Sequence, residues 1–161
     1  MRPEAAGREF LPERRFMEEA LRLACEAAAA GEIPVGAVVV KDGAVIGRGR
    51  NRREENRDAT AHAEVEAIRA ACAALGAWNL SGCALFVTLE PCPMCAGAII
   101  NARISTVVYG AKEENTGSVG SVINLFEERY GHKPAVYGGV LRDECARVLR
   151  SFFDGLRRRD S

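Results

Sequence analysis

Ala84-Leu85-Phe86-Val87-Thr88-Leu89-Glu90-Pro91-Cys92-Pro93-Met94-Cys95-Ala96-Gly97-Ala98-Ile99-Ile100-Asn101-Ala102 changes character in its middle. Ala84 to Leu89 is a short apolar run and reads as a buried strand. Pro93 to Ala102 reads as a short apolar helix, with Pro93 comfortable as its first residue. Cys92 precedes a proline, which pushes it out of the helical region. Cys92 therefore sits at the helix cap, and Cys95, three residues on, faces the same way. A strand that feeds a helix, with two thiols at the junction, is the feature around which the chain is organised.

Upstream lies His62-Ala63-Glu64. Two residues apart in mid-helix, His62 and Glu64 would point nearly opposite ways. They share a site only if both lie in a first turn, with the site just off the helix end. Two helix N-termini then converge on one ion, and their dipoles favour thiolates at Cys92 and Cys95. One imidazole and two thiolates leave a zinc position open, which marks a hydrolytic centre rather than a staple. His-x-Glu followed by Pro-Cys-x-x-Cys is the known signature of zinc nucleobase deaminases, in which the glutamate carries protons to the ring nitrogen and the leaving amine. A C-x-x-C alone also serves redox pairs, and those normally lack a paired histidine. A structural four-ligand site needs one more Cys or His. Cys83 is the nearest, and His132 lies in a different loop.

Working outward, Arg48 to Asp58 is an arginine-rich loop: Arg48, Arg50, Arg52, Arg53 and Arg57 face Glu54, Glu55 and Asp58, with Asn51 among them. Composition alone gives a solvated loop, but it leads directly into His62. Ile33 to Val40 reads as a buried strand, Lys41-Asp42-Gly43 as a turn, and Ala44 to Gly49 as its antiparallel return. Gly36 marks a close backbone approach, and Pro34 an edge or loop start. Pro12 to Ala30 is a helix with Phe16, Ala20, Leu23, Ala24 and Ala27 on one face, Pro12 early in it and Gly31 as its C-cap. His62 to Leu75 is a second helix, capped by Thr60 or Asp58. Downstream come a strand at Ser105 to Tyr109, a flexible loop at Thr116 to Ser121, a helix around Val122 to Arg129 and a strand at Ala135 to Tyr137. Leu141 to Arg159 closes the chain as a helix, with Leu141, Cys145, Val148, Leu149, Phe152 and Phe153 apolar. Alternating helices and strands predict an α/β layer fold with helices on both faces of a central sheet.

Length supports one domain over residues 1–161, with a loose start at 1–11 and a basic tail at 157–161. No apolar run is long enough to span a bilayer and the first residues lack a signal-peptide core, so no membrane association and a cytoplasmic location are expected. The 22 basic and 22 acidic residues cancel, so contact with nucleic acid must come from local patches rather than overall charge. Cys25, Cys72, Cys83 and Cys145 read as buried free thiols.

On these residues the chain resembles the cytidine deaminase-like superfamily, and within it most nearly the bacterial tRNA-specific adenosine deaminases, the wobble-position A-to-I editors. The resemblance covers nearly the whole chain. It is carried by Glu32-Ile33-Pro34-Val35-Gly36-Ala37-Val38-Val39, Asn51, Asp58 to Glu64, Val87 to Ile99, Tyr109-Gly110-Ala111, Thr116-Gly117 with Gly120-Ser121, Gly139-Val140-Leu141, Glu144-Cys145 and Phe152-Phe153. It implies a three-layer α/β/α fold with a five-stranded mixed sheet, a homodimer, and an anticodon stem-loop whose adenosine is flipped into the pocket. It implies one Zn2+ per subunit on His62, Cys92 and Cys95, with Glu64 catalytic. Asn51 would hydrogen-bond the nucleotide, and Val35 and Leu89 would shape the pocket. Candidate RNA contacts are Arg50, Arg52, Arg53, Lys112, Arg157 and Arg158. The chain departs from the pattern at Arg50, where an aromatic is familiar, at Ala59, where proline is frequent, and at Glu113 and Asn115, where aspartate and lysine are usual. Two other functions compete: deamination of a free nucleobase or nucleoside such as guanine, and a non-catalytic zinc or RNA-binding module, which has no need of Glu64.

Overall fold

The computed structural model describes residues 12–160. The expected loose start at 1–11 and the last residue of the tail lie outside them. Val38 and Val40 fall in one apolar cluster, Ala37 and Val39 in another. This two-residue alternation is that of a strand buried on both faces. The strand is β1 (Gly36–Lys41), and it sits inside a five-stranded sheet with β2 (Ala44–Arg50), β3 (Ala84–Leu89), β4 (Thr106–Ala111) and β5 (Ala135–Gly138). The order is β2-β1-β3-β4-β5. β1 pairs antiparallel with β2 and β3, and β3–β4 and β4–β5 are parallel, so the sheet is mixed.

One face is covered by α2 (Ala63–Leu75) and α3 (Pro93–Ala102), through Ala67, Ala71, Ala96 and Ile99 against Val39, Leu85, Val87 and Val107. The other face is covered by α1 (Arg14–Ala29) and α4 (Arg142–Arg159), through Phe16, Met17, Ala20 and Cys145 against Val38, Phe86 and Val108. This is the expected α/β/α arrangement. α3 connects the parallel pair β3 and β4, and ligand sites in such sheets lie beyond the carboxyl ends of the strands. Here that end carries Glu90, Pro91 and Cys92.

Glycines set how closely the layers approach, Gly36 and Gly49 among them. A methyl on Gly36 would lie 2.0 Å from the Ala20 carbonyl oxygen and 2.7 Å from the Ala24 nitrogen, so β1 rests directly on the α1 backbone. A methyl on Gly49 would lie 2.2 Å from the Ala63 carbonyl oxygen, so β2 seats the first turn of α2, which bears Glu64.

Three expectations are corrected, on the ends of α1, on Val122 to Arg129 and on the isolated cysteines. Pro12 precedes α1, whose N-cap is Glu13, and Gly31 follows the cap residue Ala30 with φ +81°. Val122 to Arg129 is not a helix: only a 3-10 turn, Leu125–Glu127, forms there. The preceding chain is folded into a hook, in which Val119 bridges Asn124, Val122 N donates to the Gly117 carbonyl, and the Asn124 side chain accepts from Phe126 N. α4 buries only Cys145 among its apolar residues, and Phe153 is 39% exposed. Its 18 residues run about 27 Å, longer than the roughly 20 Å of six-residue β4, so its later turns overrun the sheet. Cys25 lies off the buried stripe of α1 and is exposed, Cys72 is half-buried, and Cys83 and Cys145 are buried; all four thiols are free. Among the described residues, no helix is long and apolar enough to cross a membrane.

Gly36→Ala is expected to destabilise the fold by at least the roughly 1–3 kcal/mol of an overpacked core. Urea denaturation reads this directly, and an unchanged midpoint contradicts the close approach.

Candidate metal centre and pocket

His62 is the N-cap of α2, with φ −81° and ψ 154°, and Cys92 is the N-cap of α3, with φ −74° and ψ 175° and Pro93 following. Neither side chain makes a cap hydrogen bond, so both are available to each other. The expected caps Thr60 and Asp58 do not serve α2. The Asp58 carboxylate accepts from Thr60 N at 2.8 Å and Thr60 Oγ1 at 2.7 Å, and so builds the turn that delivers His62. His62 Nδ1 lies 3.6 Å from Cys92 Sγ and 3.5 Å from Cys95 Sγ. The three ligand atoms all fall within 4.8 Å of one another. Zinc–nitrogen and zinc–sulfur bonds at a tetrahedral angle give an N···S edge of about 3.6 Å, so the donor set fits that ion in spacing and chemistry. Neither extra ligand considered from the sequence joins it. His132 Nε2 donates to the Ile104 carbonyl at 2.7 Å, and Cys83 is buried beside Leu80 and Leu85 at the far end of β3.

The charges reflect this crowding. Hydrogen bonds from Cys95 and then His62 hold the Cys92 thiol down, to about 4, against the opposing effect of burial. Cys95 is pushed up by the same neighbouring sulfur and by burial. The hydrogen bond between the two thiols thus drives them in opposite directions. His62 is raised by its hydrogen bond to Cys92 and by the Glu64 charge. Glu64, in the first turn of α2 and only 4% exposed, is raised chiefly by burial.

One cavity of about 180 Å³ gathers His62, Glu64 and Cys92 with Val35, Asn51 and Leu89. The sequence-derived metal, catalytic and substrate positions thus meet in one place, with Cys95 buried behind. Asn51 is buried, its Nδ2 donating to the Ile33 carbonyl at 3.3 Å and its Oδ1 accepting from Arg53 N at 3.1 Å. One Nδ2 hydrogen remains beyond these bonds. Of the six basic candidates only Arg53 lines the cavity. Arg50 is turned inward and donates to Glu55 and to the Asn51 carbonyl, and Arg52 pairs with the same Glu55 at 2.7 Å. Lys112 is exposed on the chain after β4, and Arg157 and Arg158 are exposed in the last turn of α4.

Two further carboxylates shape the walls. Glu32 is 1% exposed and accepts from Glu54 N and Glu55 N, pinning the arginine loop. Glu90 is 2% exposed and accepts from the loop after β4. The available signal was a lone glutamate abutting an apolar run and a proline, in Glu32-Ile33-Pro34 and in Leu89-Glu90-Pro91.

Residues 12–157 match the family model for MafB19-like deaminases. The chain is 54% identical over 144 residues to a Deinococcus deserti protein named tRNA(Ile)-lysidine synthase; the match covers 89% of this chain but spans only 27% of that protein. It is 47% identical over 145 residues to the Bacillus subtilis tRNA-specific adenosine deaminase, with 89% of this chain and 90% of that one aligned. A solved structure from studies of A-to-I editing by tRNA:A34 deaminases superposes with a TM-score of 0.83 at 48% identity, covering 85% of this chain and 100% of the other.

The thiol asymmetry is testable in metal-free protein carrying Cys25→Ser. Brief alkylation at about pH 6 is expected to modify Cys92 and to spare Cys95 and Cys72, as read by peptide mass spectrometry, with added zinc suppressing the labelling. Equal labelling of Cys92 and Cys95 contradicts the assignment.

Proposed function

Since the chain belongs to the MafB19-like deaminase family, we propose that it hydrolyses the 6-amino group of adenosine at the wobble position of tRNA, giving inosine and ammonia. The observation that carries this reading is the three-atom His62–Cys92–Cys95 cluster in the same small cavity as the buried Glu64. Near-full-length identity to a tRNA-specific adenosine deaminase supports the choice of substrate.

In this reading His62, Cys92 and Cys95 hold one zinc ion per subunit, which when bound supplies Lewis-acid activation of a water. The remaining work belongs to side chains. Glu64 takes a proton from the attacking water at its carboxylate and delivers it to the purine ring nitrogen; it then takes the second proton from the newly added hydroxyl and passes it to the amine as the C–N bond breaks and the carbonyl forms. Burial suits it to this, because it raises the carboxyl and makes it a better proton acceptor than an exposed glutamate. The free Nδ2 hydrogen of Asn51 orients the base. Val35 and Leu89 form apolar walls that exclude water.

The cavity is smaller than the roughly 300–1,000 Å³ that enclose drug-sized ligands, which suits a single flipped base with the rest of an anticodon stem-loop left outside. Arg53 at the rim, with Lys112, Arg157 and Arg158 further out, supplies the local positive charge. RNA binding should then weaken as salt rises. A homodimer is part of the same reading. α3 is apolar apart from Asn101, and its outer residues Pro93, Met94, Gly97, Ala98 and Asn101 carry no charge to oppose a second copy. Six free cysteines accord with a cytoplasmic enzyme.

Zinc-loaded protein incubated with tRNA bearing adenosine 34 should form inosine there. Ammonia release from free guanine or free nucleosides, with no inosine in the tRNA, would overturn the reading. Glu64→Gln should lower turnover by about 10²–10⁴-fold while leaving zinc content and RNA binding unchanged. Unchanged turnover removes Glu64 from the proton path.

A further inference from the structure

Glu90 is the first residue beyond β3 and lies two before Cys92. Its carboxylate accepts at Oε1 from Glu113 N at 3.3 Å and from the Ser121 hydroxyl, and at Oε2 from Val119 N at 3.2 Å and Ser121 N at 3.1 Å. Four donors from one nine-residue stretch therefore close on one buried carboxylate. The chain also passes so near that a methyl on Gly117 would lie 2.5 Å from Glu90 Oε2 and 2.3 Å from the Glu113 carbonyl oxygen. A further tie, from Ser118 N to the Pro91 carbonyl at 2.8 Å, runs beside it. The captured stretch brings Glu113 and Thr116 to the rim of the cavity, on the side of Glu90 and Cys92.

A carboxylate suits this task because it accepts at both oxygens and repels no N–H donor. The stretch has no strand or helix of its own apart from the Val119–Asn124 bridge; internal bonds such as Gly117 N to the Glu113 carbonyl at 2.8 Å shape the hook, and the Glu90 bonds fasten it to the end of β3. The deaminase proposal assigns Glu90 no part in chemistry, and its oxygens are already taken up by the loop.

We propose that Glu90 is a positioning residue whose carboxylate clasps the Glu113–Ser121 stretch as a fixed wall of the pocket, so that substrate binding rather than the chemical step depends on it. The kinetic part rests on the deaminase reading; the clasp itself does not.

Three variants of the zinc-loaded full chain test this. Glu90→Gln replaces one acceptor oxygen with an NH2 that faces N–H donors. Gly117→Ala pushes the stretch away with the carboxylate intact. Ser121→Ala removes only the hydroxyl donor. Amide exchange over Glu113–Ser121 should quicken by about tenfold or more in Glu90→Gln and Gly117→Ala, and by less in Ser121→Ala, while β3 and β4 keep their rates. With an anticodon stem-loop RNA, KM should rise about tenfold in the first two variants and kcat should stay within about threefold. Unchanged loop exchange, or exchange quickened equally through β3 and β4, would overturn the clasp. A fall in kcat at constant KM would overturn the positioning role. Should Glu90→Gln fail to fold, the two loop-side variants carry the same comparison. If the unmodified chain forms no inosine, the deaminase reading fails, and the exchange data still decide the clasp.

Discussion

Two helices must begin at one point, and most of the structure serves that requirement. α2 and α3 present their N-caps, His62 and Cys92, to each other across a gap of 3.6 Å. Each approach is fixed from outside the site. Gly49 lets β2 seat the first turn of α2 on bare backbone. β3 reaches the site in register with β4, as Leu89 pairs with Ala111 and Glu90 N donates to the Ala111 carbonyl at 2.8 Å. Pro93 then starts α3 at once. At that spot the Cys92 thiol is held down by hydrogen bonds from Cys95 and His62.

Three glutamates are buried, Glu64 and Glu90 at the cavity and Glu32 under the arginine loop, and their surroundings give them different work. Glu32 and Glu90 are saturated by backbone N–H groups, which offset the cost of burying a carboxylate and turn each into a fastening for a loop. Glu64 is as deeply buried, but its neighbours are two sulfurs and an imidazole, and burial dominates its titration. A carboxyl so placed is suited to exchanging protons rather than to holding a loop. The division of labour is set by hydrogen-bond donors and not by residue type.

Much of this was legible in the sequence because its causes are local. Ala84–Leu89 and Pro93–Ala102 form where apolar runs and a proline dictate. The two-residue spacing of His62 and Glu64 already required a first-turn site. Gly36 announced the close packing on α1. What escaped reading depends on partners distant in sequence. Val122 to Arg129 has a helical pattern, yet the chain before it is hooked onto Glu90, some thirty residues upstream. Arg50 and Arg52 were expected as RNA contacts; their shared pairing with Glu55, which leaves Arg52 on the surface, is a contact that the run of charges does not show. The stripe on α4 was read correctly as apolar, while its burial depended on the length of sheet beneath it.

X-ray absorption at the zinc edge of the purified protein tests the central claim most directly, because it reports which atoms surround the ion without reference to any substrate. Two sulfur neighbours at about 2.3 Å, one histidine nitrogen at about 2.0–2.1 Å and no fourth protein ligand are predicted, with Cys92→Ser removing one sulfur. A third sulfur or a second histidine in the shell, or the absence of zinc from protein prepared in its presence, would contradict the account.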